Sequence, residues 1–518
     1  MLNSYFSLNK LDPFGEPACE SELQLLGVSE YRQYYFSHLR FSHESMQPKV
    51  FMIVGRRGSG KTALAQFFSF QQLLPNATAI DVDEPAAFQQ VMTKLAANAG
   101  YSREVAVPRI AKIWEFVMWS IIFRQFQHQD PRIKAACLFN DDTAKVSTFI
   151  RHLLRSLAEK YLKTEDELAD ELEHLISGKT FEKAKETVLA IAKRHPIIIA
   201  FDTLENYSLT DDSMMRVMAA LIQCASNFSR TYASQNIYIK LFIMDEIFPY
   251  LKEEAILNPL KFIHDEIYLY WNPKDLMKLI CWRFWHYLRA RGMMHQSYQE
   301  VAWDDHHDVL KKVWEPYFGK QIVNGDGLPE KTFPYVLRHT QMRPRQLIVL
   351  CNSIAKCAKE DKSFPHFIPD NLVQGIKQGE ENLADEVFNS YASVYPNAAK
   401  IADALSGLPL IFKGQELDKR ARETASQWPA GEYSPYAFRQ LVAELGIVGR
   451  VRQKSETAGI VEADFEYAQP GRLPLLTEDL CVIHPMFFKK LNVKISAKLR
   501  VYPFPDHRDF KELNYHES

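Results

Sequence analysis

The sequence predicts an α/β core on a mainly parallel sheet with a helical insertion, then an all-helical region, then a C-terminal segment of helices and a β-hairpin. Three observations carry this reading. Apolar runs of strand length at 50–54, 196–201 and 237–244 are continuous rather than alternating, which suits strands covered on both faces. Helical periodicity alternates with them, as at 211–225, in the manner of successive βα units. Beyond residue 272 the apolar spacing turns helical, and it changes again past Tyr395-Pro396.

Taken in order, residues 1–49 form an N-terminal segment of mixed character with a helical stretch near 21–39. The run Val50-Phe51-Met52-Ile53-Val54 reads as a strand, followed by a glycine-rich turn and the helical pattern 63–68. A short strand fits 78–82, and 86–195 reads as helices inserted into the core. Within that insertion, 113–123 is strongly apolar. It contains Glu115 and is about half the ~20 residues that a membrane span needs, so it reads as a buried helix. Strands return at 196–202, 237–244 and, more weakly, 266–270, closing an α/β domain over 50–272. Residues 273–392 read as a helical lid domain, interrupted by the polar turn Asn324-Gly325-Asp326-Gly327. In the last segment, 393–518, helical stretches near 397–407, 414–425 and 434–445 precede short strands near 447–452, 460–468 and 480–484, a winged-helix-like order. The tail from about 500 reads as irregular.

Composition bounds the function. With 518 residues, 47% hydrophobic and 24% charged, the chain has material for several packed domains, and low Gly and Pro content argues against disorder. Lys and Arg number 62 against 64 Asp and Glu, a formal charge of -2, so nucleic-acid contact would need a local basic patch. Seven cysteines without a CxxC pair suit a reduced, cytoplasmic interior rather than a disulfide framework or zinc site. The start MLNSYFSLNK lacks the basic and apolar blocks of a signal peptide, and no membrane partner is expected.

Gly55-Arg56-Arg57-Gly58-Ser59-Gly60-Lys61-Thr62 matches the phosphate-loop pattern G-x-x-x-x-G-K-[ST] in full, between a strand and a helix. Glycines let the backbone curl so that its N–H groups face phosphate oxygens. The helix start, through Ala63, adds its positive dipole end, and Lys61 brings a point charge to the β- and γ-phosphates. Thr62 supplies a hydroxyl to Mg²⁺. A carboxylate is needed on a neighbouring strand end, and Asp202, closing the 197–201 run, fits as the second ligand side of that metal. Glu205, three residues on, is the nearby carboxylate able to orient or deprotonate the attacking water. No guanine-reading N-K-x-D pattern follows the strands, which favours ATP.

Asp245 and Glu246 end the third strong strand, either as readers of the γ-phosphate or as plain strand-end acids. Arg343 and Arg345 open a helix in the second domain, either as surface residues or as cations that reach back to stabilise charge on the transferring phosphate. Arg230 is a candidate arginine finger for a neighbouring subunit.

Together the 55–62 loop, the 197–205 strand with Asp202 and Glu205, the Arg343-Pro344-Arg345 helix start and the winged-helix-like segment resemble a P-loop ATPase of the STAND/AAA+ type. The architecture is similar to origin-recognition-like initiators and to bacterial ATPases of antiviral defence operons. The resemblance implies an ATP/Mg²⁺ switch whose nucleotide state sets the lid angle and self-assembly into a homo-oligomer. Two features depart from the family's pattern: Asn206 follows Glu205 where a second acid is usual, and Asp245-Glu246 stand where a neutral or basic residue is usual. No effector chemistry is visible elsewhere in the sequence. The expected function is therefore control of a separate effector protein, with DNA binding through the winged helix as the alternative.

Overall fold

The computed structural model describes residues 8–37, 39–69, 76–82, 86–97, 102–137, 145–161, 172–202, 211–256, 258–263, 266–294, 300–324, 327–468, 471–495 and 498–503. It forms two compact units. Met1–His38, with helix α1 (Cys19–Tyr34), joins Tyr270–Ser518, and Leu39–Leu269 forms the other. The core boundary expected at 272/273 thus falls at 269/270, and most of the 1–49 segment belongs with the second unit rather than with the α/β core.

The Leu39–Leu269 unit is a five-stranded parallel sheet in the order β2-β3-β4-β1-β5, with β1 Met52–Gly55, β2 Thr78–Val82, β3 Ile197–Phe201, β4 Ile237–Met244 and β5 Ile267–Tyr268. Every residue of β1, β3 and β4 is buried, which is why their sequences run apolar without alternation. The exception in composition is Lys240 in mid-β4, 1% exposed, whose ammonium donates to the carbonyls of Gln47 (2.9 Å) and Val50 (2.6 Å) just before β1. Burial pulls its pKa down to about 7.

Helix α2 (Lys61–Ser69) follows β1. The insertion contributes α3 (Ala86–Ala97), α4 (Arg103–Phe126), α5 (Pro131–Ala136), α6 (Val146–Tyr161) and α7 (Lys179–Ala192), and α8 (Asp212–Tyr232) links β3 to β4. The apolar stretch 113–123 lies within α4, with Trp114 and Trp119 fully buried. Trp114 donates its indole N–H to the Val217 carbonyl of α8 (3.1 Å) and meets the Phe201 ring of β3 edge-on. Part of the insertion is therefore cover for the sheet itself. Among the described residues no helix is long and apolar enough to cross a membrane.

In the second unit, α9 (Pro273–Ala290) and α10 (Pro344–Glu360) receive the N-terminal segment. Asn352 bonds both the Phe14 amide (3.1 Å) and the Gly15 carbonyl (2.8 Å), Trp282 donates to the Tyr34 carbonyl (2.8 Å), and Arg283 pairs with buried Glu22. Gly15, at φ 82°, sits where any side chain would strike Arg283, Glu22 or Tyr34. Two short strands, β6 (Gln321–Val323) and β7 (Pro329–Lys331), pair antiparallel inside a region that the sequence reads as helical. Helix α11 (Pro369–Ser390) packs along α10.

The C-terminal segment carries α12 (Gln415–Glu423) and α13 (Pro435–Glu444) beside a second five-stranded sheet in the order β12-β10-β9-β11-β8. Its strands are β8 Ile411–Lys413, β9 Val448–Ser455, β10 Ile460–Asp464, β11 Leu480–Ile483 and β12 Arg500–Tyr502. The expected β9–β10 hairpin is present and antiparallel. Two further strands were not expected: β8, and β12 in the tail read as irregular. Each is three residues long, too short for periodicity to register.

Candidate nucleotide-binding site

The site forms where β1 ends. Gly55 closes the strand, residues 56–60 turn, and α2 starts at Lys61. Gly58 and Gly60 adopt φ of 80° and 96°, left-handed values that L side chains resist. Gly55 has no room either, because an added Cβ would lie 2.5 Å from the Ser59 hydroxyl. The Ser59 amide bonds the Arg56 carbonyl (3.0 Å), and the first i→i−4 bond of the helix runs from Leu64 to Gly60 (3.0 Å). The amides of Lys61, Thr62 and Ala63 thus precede the helical ladder, at the end of the helix where partial positive charge accumulates.

Lys61 is buried, and its ammonium donates to the carbonyls of Gly55 (2.8 Å) and Arg56 (3.1 Å), which draws it across the curl of its own loop. The Thr62 hydroxyl donates to the Asp202 carboxylate at 2.7 Å. This contact joins residues 140 apart in sequence and crosses the sheet, since β4 lies between β1 and β3. Both side chains present hard oxygen donors, the chemistry that Mg²⁺ selects. The curled glycine backbone, helix start and lysine form a cradle of the kind that takes a phosphate chain. The residues present therefore fit both groups.

The end of β4 touches the loop directly. The Asp245 amide bonds the Gly55 carbonyl (3.2 Å), and its carboxylate stands 4.0 Å from the Arg56 guanidinium. Glu246, 3% exposed, accepts from the Arg57 amide at 2.9 Å. The sequence reading gave these acids no part in holding the loop. The available signal was a doublet of acids at one strand end and a doublet of arginines in the loop.

Glu205 and Asn206 lie outside the described residues. Arg343 is 2% exposed and donates to the Gln341 side chain (2.9 Å), which in turn bonds the Leu445 carbonyl (2.8 Å). Arg345 bonds the Pro17 carbonyl (3.1 Å) and pairs with Glu386 (3.3 Å). Both arginines at the α10 start are thus engaged within the second unit. Arg230 is exposed at the end of α8 and bonds Asn227 (2.9 Å). No family model matches the chain, and no curated protein matches its sequence.

Charge along β9 is paired. Along β9, Arg450, Arg452 and Lys454 face Asp464 (3.9 Å), Glu462 (3.0 Å) and Glu456 (2.9 Å). On α13, Arg439 pairs with Asp418 of α12 (3.3 Å) and bonds the Leu475 carbonyl (3.2 Å).

Proposed function

We propose that the chain is an ATP/Mg²⁺-dependent switch ATPase of the STAND/AAA+ type that self-assembles and controls a separate effector protein, in a setting such as bacterial antiviral defence. The observation that carries the nucleotide part is the Thr62–Asp202 hydrogen bond beside a loop whose lysine already lies across its own mouth. In this reading the loop amides and Lys61 bind the phosphates, while Thr62 and Asp202 hold Mg²⁺. Held by these two residues, Mg²⁺ would supply charge neutralisation to the transferring phosphate. Glu205 orients the attacking water and takes its proton. Arg343 and Arg345 belong to the element that reports nucleotide state, through a lid that the family resemblance supplies.

The effector reading is supported over the DNA reading by the C-terminal charges. A duplex-binding face needs several cations free to meet phosphates, whereas the arginines and lysine of β9 and the arginine of α13 already face carboxylates. Helical lid and winged-helix roles for 273–392 and 393–518 remain part of this proposal.

Two measurements test it. Calorimetric titration with ATP and Mg²⁺ should show binding that Lys61→Ala weakens, whereas Glu205→Gln should keep binding and slow turnover; equal loss of binding in both contradicts the assignment. Native mass spectrometry of protein purified from its own cells should show an ATP-dependent oligomer carrying a second polypeptide. A partner-free monomer retaining DNA would favour the initiator reading instead.

A further inference from the structure

We propose that Asp245 and Glu246 are positioning residues that clasp the arginine-bearing half of the phosphate loop, leaving phosphate recognition to the half from Gly58 to Thr62. The inference rests on the nucleotide reading above and deepens it.

Three successive loop residues are gripped by the two residues that follow β4. Gly55 gives its carbonyl to the Asp245 amide, Arg56 gives its guanidinium to the Asp245 carboxylate, and Arg57 gives its main-chain N–H to the Glu246 carboxylate. The grip continues the β1–β4 pairing, whose last register pair is Gly55 with Met244, one step beyond the strand end. It is placed where the sheet can enforce it, since every residue of β4 is buried and Glu246 is 3% exposed. A buried carboxylate that accepts a main-chain N–H holds that peptide's orientation, because the carboxylate has little water to turn to instead.

The consequence follows from the loop's conformational freedom. A glycine-bearing loop loses conformational entropy when it is ordered. Clasping 55–57 in advance removes that cost from nucleotide binding. The same contacts account for acids at a strand end where the family resemblance leads one to expect a neutral or basic residue. The loop carries Arg56 and Arg57 in its variable positions, and the two acids stand opposite them. On this account neither acid reads the γ-phosphate, since their carboxylates are committed to the loop.

The test uses the full chain with Glu246→Ala, Glu246→Gln and Asp245→Asn. Gln keeps a side-chain oxygen for the Arg57 amide, and Ala does not. ATP/Mg²⁺ affinity should fall about 10-fold in Glu246→Ala, stay within about 3-fold in Glu246→Gln, and fall about 2- to 3-fold in Asp245→Asn, whose lost ion pair is long. Turnover at saturating ATP should change little, because positioning acts on binding. Hydrogen exchange of the nucleotide-free protein should quicken at 55–60 in Glu246→Ala and not in β3. Unchanged exchange in Glu246→Ala, or equal losses of affinity in Ala and Gln, would overturn the clasp. A wild-type protein that binds no nucleotide would overturn the nucleotide reading, while the exchange measurement would still decide the clasp.

Discussion

In the Leu39–Leu269 unit, Lys61, Thr62 and Asp202 meet at the C-terminal edge of a parallel sheet, held by backbone carbonyls and by one another in contacts that a ligand can exchange. In the second unit several polar and charged groups are sealed in the interior. Glu22 is fully buried against Arg283, Glu330 and Arg338 pair in the interior with Asn324 and Tyr502 bonded to the same carboxylate, and His484 links Tyr467 to the Met486 amide. Each unit thus keeps its polar groups in a different place and for a different use. Exchangeable partners at a strand edge suit binding, whereas partners fixed inside a core specify one arrangement of segments that are distant in sequence.

The sharpest way to break that comparison is Arg283→Ala. It strands the Glu22 carboxylate, also removes a cation stacked 5.1 Å from the Tyr34 ring, and unpins the N-terminal segment at Phe14. Removing one partner of a buried pair costs about 3–5 kcal/mol. Hydrogen exchange followed by peptide should show that loss at 14–34 and in α9, with the parallel sheet unaffected. Normal protection of 14–34 in this variant would mean that the sealed pairs do not hold the second unit.

A slightly smaller effect is expected from pH. His286 lies against Tyr34, Trp282 and Trp285, both ring nitrogens lack a hydrogen-bond partner among the described residues, and burial, then the neighbouring Arg289 charge, pull its pKa down to about 4. The unfolded chain takes up a proton near pH 6.5, and the folded one does not until about pH 4. Stability is therefore full above pH 6.5 and is lost as pH falls through that window, by roughly 3 kcal/mol for this group alone. His339 and His484, also shifted down by burial, add to the same slope. Denaturation of His286→Phe between pH 7 and 4 should show a shallower fall than wild type; an equal fall would remove His286 from the account.

What the sequence showed and what it hid divide along the same line. The loop from Gly55 to Thr62 was legible because its chemistry is contiguous, and β3 and β4 were legible because two-sided burial leaves a strand apolar at nearly every position, Lys240 excepted. Asp202 was placed by its position at a strand end alone, and Thr62 reaches it across 140 residues. The grip of Glu246 on Arg57, 189 residues apart, and of Arg283 on Glu22, 261 apart, depends on which strand or helix lies beside which, and no local pattern records that. The arginines at the α10 start show the limit from the other side. Their residue type was suggestive, but Gln341, Pro17 and Glu386 decide where their guanidinium groups are held.

Lys61→Ala sharpens the comparison from the binding side. The charge-assisted contacts that a lysine makes to phosphate are worth roughly 10- to 100-fold in affinity. The same substitution should also lower the stability of nucleotide-free protein by about 1–3 kcal/mol, because the buried carbonyls of Gly55 and Arg56 lose a donor. Nucleotide titration and denaturation on the same variant give both numbers. A large stability loss with unchanged affinity would put Lys61 among the sealed charges and dissolve the contrast.

The smallest effect in stability concerns β9, and it bears most on partners. Its pairs are partly exposed, so Glu456→Gln, Glu462→Gln and Asp464→Asn should each change stability by less than about 1 kcal/mol. Their electrostatic consequence is larger than their energy. Each substitution removes one carboxylate that competes for a β9 cation, and a cation that displaces a counterion steepens the salt dependence of duplex affinity by about 0.9 in log–log slope. Wild type should therefore bind duplex DNA weakly, and the triple variant should acquire binding that about 200 mM salt reverses. If wild type already binds tightly with a steep slope, the carboxylates facing Arg450, Arg452 and Lys454 yield to phosphate, and β9 belongs with the exchangeable edge of the first unit rather than with the sealed pairs of the second.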